Sequence, residues 1–385
     1  MINSSAETIV IGGGIVGSSI AYRLAEKGQQ VIVLEKARVG EEASGRNAGF
    51  VVLPERVNNP GVMALGLESA KLWASMNEEL DCDVGYRRVG CVRVALSEEQ
   101  LGSLHERMKR QQAIGLDAEM LSPEETRRLS PHIPSDLAIH GAKYSPIDGH
   151  ANPLLVVKAI CRAARRKKVQ IREHEPVRRV KTEVGRVTAV VTDKSEYHAS
   201  TFVIAAGAWS RGLCNTIGLD FPAVVEKGQV LVTEVLPAIF DQLIVIEDLL
   251  CRQALEGNVH LSRLSSSVRT DSFDKSTLLS DFREMRKFLA WLSPSLLNVN
   301  LIRAFTGLDD NTPDGVPILD RAPGFQNLFV ATGASGYGFS LGPATGKLIA
   351  EWITEGQSSI DLSGMRWNRF DGMPHPENFN FRATA

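Results

Sequence analysis

Residues 8–37 read TIVIGGGIVGSSIAYRLAEKGQQVIVLEKA, and this stretch decides the fold. Ile9, Val10 and Ile11 form a short apolar strand. Gly12, Gly14 and Gly17 follow at GxGxxG spacing. In that pattern the first glycine makes a tight turn, the second lets backbone approach a pyrophosphate, and the third lets a helix pack on the sheet. The helix is expected from about Ile15 to Lys27, with Gly28 as its left-handed cap. Its N-terminus offers free N–H groups to phosphate. Val31–Leu34 gives a second strand, and Glu35 stands at its carboxyl end, where an acid grips a ribose hydroxyl. Strand, glycines, helix, strand and acid in that order make a dinucleotide site.

The rest of the 385 residues is long enough for two domains. With 43% apolar and 23% charged residues, the chain has the balance of a globular protein. A net charge of -2 argues against a nucleic-acid surface, which needs a basic domain. The basic run Arg165–Lys168 reads as a solvated helix end. Cysteines stand at 82, 91, 161, 214 and 251, too far apart for a CxxC zinc or iron–sulfur loop, and read as packed, reduced thiols. The histidines show no HxH or HExxH spacing, so no metal site is assigned. Few polar residues precede the first strand, which reads as no secretory leader, and no apolar run approaches the roughly 18 residues of a transmembrane span. The expected location is cytoplasmic, with peripheral attachment to the inner membrane left open.

The glycine motif alone does not separate NAD from FAD. Three later stretches favour FAD. After Glu35 the chain enters a small-residue loop, Ser44, Gly45, Arg46, Asn47, Ala48, Gly49, then Phe50, suited to close approach by a flat ring or equally to an ordinary turn. A buried strand ends in Ala205, Ala206 and Gly207. NLFVATGASGYGFSLGPATGKLIAEWI (327–353) gives a strand, a glycine-rich loop and a helix expected to start near Gly342 with Pro343 at its first position. A ligand touched by the start, middle and end of the chain is large and extended.

With SGRNAGF, SPIDGHANP (145–153), VIAAGAWS and TPDGVPIL (312–319), these stretches follow the order of the D-amino-acid oxidase, glycine oxidase and sarcosine oxidase superfamily, which the chain resembles over nearly its whole length. SGRNAGF and GFSLGPATGKLIA look most like the FAD subunits of bacterial heteromeric amino-acid and opine dehydrogenases. The resemblance implies an α/β and α+β fold: a Rossmann-type FAD-binding domain (1–84, 146–222, 312–385) interleaved with a mixed-sheet substrate domain (85–145, 223–311). Locally, 89–95 and 229–234 read as strands, 251–264 as a hairpin, 98–114 and 279–292 as amphipathic helices, and 265–277 as a mobile polar loop.

The resemblance implies oxidation of an amine, amino acid or opine. A hydride passes from the carbon beside nitrogen to flavin N5, and water hydrolyses the imine. No side-chain base is required, so no catalytic residue is assigned. It further implies that Gly12, Gly14, Ile15, Val16 and Gly17 hold the pyrophosphate of a non-covalent FAD. Glu35 and Lys36 serve the adenosine ribose; Ser44 through Phe50 (Ser44, Gly45, Arg46, Asn47, Ala48, Gly49, Phe50) run under the flavin edge. Val177, Ala205, Ala206, Gly207 and Trp209 line the adenine side. Gly336, Tyr337, Gly338, Phe339, Ser340 and Leu341 follow the pyrimidine edge, with the helix N-terminus aimed there. The non-covalent expectation rests on Gly307, which aligns with a known cysteine attachment point.

Two positions depart from the pattern. Tyr337 replaces a frequent histidine, and Asp309 replaces an arginine that commonly clamps a substrate carboxylate. Asp309 either favours a cationic substrate group or caps a turn with Asp310 before Thr312 and Pro313. Arg252, Arg303 and Arg263 are the other carboxylate candidates, each with a surface role as the alternative. His150, in Asp148-Gly149-His150, reads as a turn residue or a catalytic one. Three overall readings stand: the FAD subunit of a heteromeric dehydrogenase whose partner carries an iron–sulfur cluster, a single-chain oxidase making peroxide, and a non-redox protein that keeps FAD as a structural element.

Overall fold

The computed structural model describes residues 2–55, 57–263, 268–270 and 272–373. At its centre lies the strand Ile2–Ile11, longer than the expected 9–11, with Thr8–Ile11 parallel to Val31–Leu34 on one side and Thr201–Ile204 on the other. Ile9 through Ile11 and Val31 through Leu34 are buried on both faces, as a parallel sheet covered by helices requires. The sheet runs Val177–Glu183, Arg186–Thr192, Ser195–Ile204, Ile2–Ile11, Val31–Leu34, Gln170–Arg172, with Leu328–Thr332 beside the end of Ser195–Ile204 and Ile318–Arg321 paired to it. The helix Ile15–Glu26 closes the βαβ unit, with Gly28 at φ +82°.

A second sheet is mixed. It holds the strand Val224–Val235 between Asn258–Arg263 and Leu301–Asn311, and continues through the 249–263 hairpin to Leu243–Ile246, Cys91–Ala95, Gly141–Ser145 and Glu119–Leu121. The helices Glu98–Gln112 and Leu279–Leu292 fall where the amphipathic pattern puts them. The basic run ends the helix Pro153–Arg166 in solvent, and Asn152 caps its start. Of the 265–277 loop, residues 265–267 and 271 lie outside the described residues; Val268–Arg269 is a short strand against Glu226–Lys227.

The last helix corrects the expectation. It spans Gly338–Glu355, and Pro343 sits inside it, so the ring withholds one donor from Phe339 O. The first turn is tied down from outside: Ser69 Oγ and Trp73 Nε1 donate to Ser340 O at 2.5 and 2.9 Å, and Ser340 Oγ donates to Phe50 O at 3.2 Å. Gly342 and Gly346 allow the helix to lie on Ile15–Glu26. A Cβ at 346 would stand 2.4 Å from the Ser19 Cβ, and one at 342 would stand 2.8 Å from the Ile15 side chain.

Where the helix Glu98–Gln112 packs on the second sheet lies a buried ionic cluster whose members read in the sequence as surface charges. Glu55 pairs with Arg93 and Lys143, and Gln111 bridges them, accepting from Lys143 at 2.7 Å and donating to Glu55 at 3.1 Å. Lys143 is 0% exposed. Despite burial, the two cations hold the Glu55 carboxyl below its usual range. Nearby, burial pushes the Asp148 carboxyl up to about 6. Asp148 Oδ1 accepts from Leu53 N at 3.0 Å.

Candidate functional site

A cavity of about 490 Å³ opens at the carboxyl ends of the parallel strands. Its walls come from three distant stretches. Gly12, Gly14, Ile15, Val16, Glu35, Lys36, Ser44 and Asn47 supply one. Val177, Ala205, Ala206, Gly207 and Trp209 supply the second, and Asp309, Gly336, Gly338 and Phe339 the third.

The glycines make a cradle that other residues cannot. Gly12 has φ +112°, and a Cβ there would stand 2.3 Å from Ala205 O. One at Gly17 would stand 2.0 Å from Gly12 O, and one at Gly14 would stand 2.8 Å from Ser44 Oγ. Gly17 therefore closes the turn from behind rather than lining the cavity. The backbone is thus free of side chains where a diphosphate would lie against the helix N-terminus.

Glu35 is buried and is oriented by the backbone. Its oxygens accept from Gly13 N at 2.7 Å and Ala37 N at 2.8 Å, while burial raises its pKa. A second buried acid, Glu175, accepts from Thr192 Oγ1 at 2.9 Å and Tyr197 Oη at 2.7 Å, close behind Val177. Nothing in the local sequence marks it, because its partners come from a hairpin about twenty residues on.

In the 44–50 loop, Ser44 and Asn47 line the cavity, whereas Gly45, Arg46, Ala48, Gly49 and Phe50 do not. Asn47 shapes the loop: its Nδ2 donates to Ala43 O at 2.9 Å and its Oδ1 accepts from Gly49 N at 2.8 Å. Ala48 and Phe50 pack on the second sheet with Val230 and Leu250. Tyr337, Ser340 and Leu341 also stand behind the wall; Tyr337 is the N-cap of the last helix and is buried. The N–H groups of that first turn lack partners inside the helix, so its positive end faces the cavity through Gly338 and Phe339.

The two aspartates separate. Both lie in the strand Leu301–Asn311, so the expected turn before Thr312 is not there. Asp310 fastens the glycine-rich loop, accepting from Thr332 Oγ1 and from Gly333 N at 2.5 Å. Asp309 faces the cavity. Burial, then Asp310 and Glu226, push its carboxyl up to about 7.

The arginines separate as well. Arg263 is held by Asp248 at 2.7 Å, and Arg303 is exposed and stacks over Phe305. Arg252 is buried, contrary to its surface alternative, and neither it nor His150 lines the first cavity. Among the described residues no cysteine or histidine lines that cavity, and a Cβ at Gly307 would stand 2.7 Å from Arg46 O, which leaves no room there for a cysteine. Four cysteines are buried, Cys82 is half-buried, and no metal-binding cluster occurs among the described residues.

A side-chain-free glycine turn at a helix N-terminus, an acid at the end of the second strand and a cavity extending to a second helix N-terminus define a dinucleotide-binding protein of the extended-cofactor class. The family model for FAD-dependent oxidoreductases matches residues 7–352, and the chain belongs to that family. It is 28% identical to the mitochondrial dimethylglycine dehydrogenase of Rattus norvegicus over 95% of this chain, spanning about 45% of that relative's length. It is 29% identical to an opine oxidase subunit of Rhizobium meliloti over 94% of this chain and 97% of that one. The glycine oxidase structure from Geobacillus kaustophilus superposes with a TM-score of 0.89, at 24% identity, over 95% of this chain and 99% of that one. FAD is the family's cofactor, and the cradle fits it. Among the described residues no helix is long and apolar enough to cross a membrane.

Proposed function

We propose that the protein oxidises the C–N bond of an amino acid, amine or opine with FAD, as the FAD-carrying subunit of a heteromeric dehydrogenase. The observation that carries this reading is the single cavity built from the 12–47, 177–209 and 309–339 stretches, with a helix N-terminus at each end. The full-length similarity to a protein named as an opine oxidase subunit supports the heteromer.

Bound FAD supplies a two-electron acceptor that takes a hydride from the carbon next to nitrogen. The chain binds and orients. Gly12 and Gly14 would hold the pyrophosphate, Glu35 the ribose, and Val177 the adenine side. The first turn of Gly338–Glu355 would offer its positive end to the negative charge that reduction adds to the bound flavin. Asp309 presents a carboxyl that holds a proton near neutral pH, and when ionised it favours a cationic substrate group.

The reading is tested by acid precipitation, which releases the FAD into the supernatant, and by turnover with amines in air and with a dye acceptor. Dye reduction well above peroxide formation supports the heteromer; stoichiometric peroxide from the chain alone supports the single-chain oxidase instead.

A further inference from the structure

The helix Pro153–Arg166 turns one face to solvent, made of Leu154, Leu155, Lys158, Arg162, Arg165 and Arg166. At 3.6 residues per turn these positions span an arc of about 120°. Every other residue of the helix is buried. The face therefore carries cations and two leucines but no acid, and exposed Lys167 and Lys168 extend it past the helix end. Leu154 is 38% exposed and Leu155 44%. The exposed face of Glu98–Gln112 is of the ordinary kind, mixing Glu98, Glu99 and Glu106 with Lys109 and Arg110.

Helix polarity accounts for only part of this face. Arg165 and Arg166 stand in the last turn, where cations complement the carbonyl end. Lys158 and Arg162 lie further back, beyond that effect, and exposed leucines gain nothing from it. Acids stand only at the rim. Glu173 pairs with Arg165 at 3.2 Å, Glu26 stands 3.8 Å from Lys167, and Asp81 is exposed. Solvent-exposed pairs of this kind contribute little. Arg162 and Arg166 donate to the carbonyls of Asp81 and Leu80 at 3.4 and 3.2 Å, which leaves both charges unneutralised. Lys158 has no hydrogen-bond or ion-pair partner among the described residues.

A convex face of one sign with two free leucines suits a surface that is fluid and anionic. Lipid phosphates meet lysine and arginine at the headgroup level, while leucines enter the acyl boundary beneath. The long stems of Lys158 and Arg162 let their charges stay among the phosphates as the leucines go in. A convex face gives a folded acidic protein no groove to enter, whereas lipid moulds to it.

We propose that this face docks the protein on an anionic lipid surface, with Leu154 and Leu155 inserted and Lys158, Arg162, Arg165 and Arg166 on the phosphates. Docking there sets the lipid beside the loop that walls the FAD cavity. A Cβ at Gly40 would stand 3.4 Å from Leu154 Cδ1 and one at Gly45 3.3 Å, and Ser44 of the same loop lines the cavity. The inference does not depend on what the flavin oxidises.

The test is co-sedimentation of the FAD-loaded full chain with phosphatidylcholine vesicles, with and without phosphatidylglycerol. The chain is expected to bind the anionic vesicles alone, and less as salt rises. Lys158→Gln and Arg162→Gln each weaken binding roughly fivefold. Leu155→Ser weakens it roughly three- to tenfold. Lys109→Gln removes the same charge from the mixed-sign helix and leaves binding unchanged. A loss in Lys109→Gln equal to that in Lys158→Gln would trace attachment to net charge and overturn the docking face. Equal binding to neutral vesicles, or none to anionic ones, would overturn it too. Retention on immobilised polyglutamate without vesicle binding would give the face to an acidic protein instead. If a variant does not fold, wild-type binding that ignores salt still overturns the proposal. Sedimentation uses no substrate, so docking and amine oxidation stand or fall separately.

Discussion

Phe273 stacks on Trp209 with ring centroids 5.0 Å apart and planes 14° apart. Trp209 is in the wall of the FAD cavity; Phe273 belongs to the segment leading from the second sheet to the helix Leu279–Leu292. The Lys36 ammonium lies 3.9 Å from the Trp209 ring centroid. Two residues beyond Phe273, Lys275 pairs with Glu42 of the cavity wall at 3.1 Å. The segment is a strap across the Trp209 side of the cavity, the side proposed for the adenine, and Phe273 accepts φ +53° to make it.

Removing the strap's aromatic contact releases cofactor. Phe273→Ala is expected to weaken FAD binding by about 0.5–1.5 kcal/mol, roughly two- to tenfold, and to speed FAD release while the fold persists. Stopped-flow dilution of the holoprotein, followed by flavin fluorescence, measures it. Unchanged release would place the strap outside cofactor retention.

The buried ionic cluster is expected to be unforgiving. Glu55→Gln leaves Arg93 and Lys143 buried with no carboxylate between them and costs about 3–5 kcal/mol of unfolding free energy. Urea titration of the apoprotein reads this as a lower midpoint. A loss below about 1 kcal/mol would mean that water reaches the cluster.

Asp309 gives a pH dependence of defined sign. Its carboxyl titrates at about 7 in the folded chain, against roughly 4 when unfolded. Between these values the folded chain holds the extra proton, so this group's contribution falls as pH rises from about 4 to 7 and stays low above that. Asp309→Asn removes the penalty. The difference in Tm, variant minus wild-type apoprotein, is therefore expected to grow from pH 4 to pH 8. A flat difference would show Asp309 to be solvated.

Helix contact predicts opposite outcomes at two glycines. Gly346→Ala drives a methyl into Ser19 and costs about 1–3 kcal/mol. Gly102 lies in the exposed part of the helix Glu98–Gln112, with nothing within 4 Å of where an added methyl would stand. Gly102→Ala is expected to stabilise by about 0.5–1 kcal/mol. Thermal melts of both variants decide it.

The βαβ unit was legible because its signals are local: a short apolar run, glycines forced by close backbone approach, and an acid at a fixed distance. The hairpin read at 251–264 was legible from its Glu-Gly-Asn turn, and the two amphipathic helices by period. The start of the last helix was not. Pro343 favours a first-turn position, but the outside hydrogen bonds to Ser340 O hold the helix one turn further back. Glu55, Arg93 and Lys143 were invisible because each looks like a surface charge until the strands that carry them are paired. Arg252 was ambiguous for the same reason: LLCRQ is covered on both faces, which no alternation reveals.

Amine oxidation by the bound flavin is read most directly in a single turnover without oxygen. The FAD-loaded chain is mixed with D-amino acids, N-methyl amino acids, imino acids and opines, and flavin absorbance and carbonyl product are followed together. At least one carboxylate-bearing amine is expected to bleach the flavin and to yield one carbonyl product per flavin. If dithionite reduces the bound flavin but no amine does, the chain keeps FAD without oxidising amines, and the proposed function is wrong.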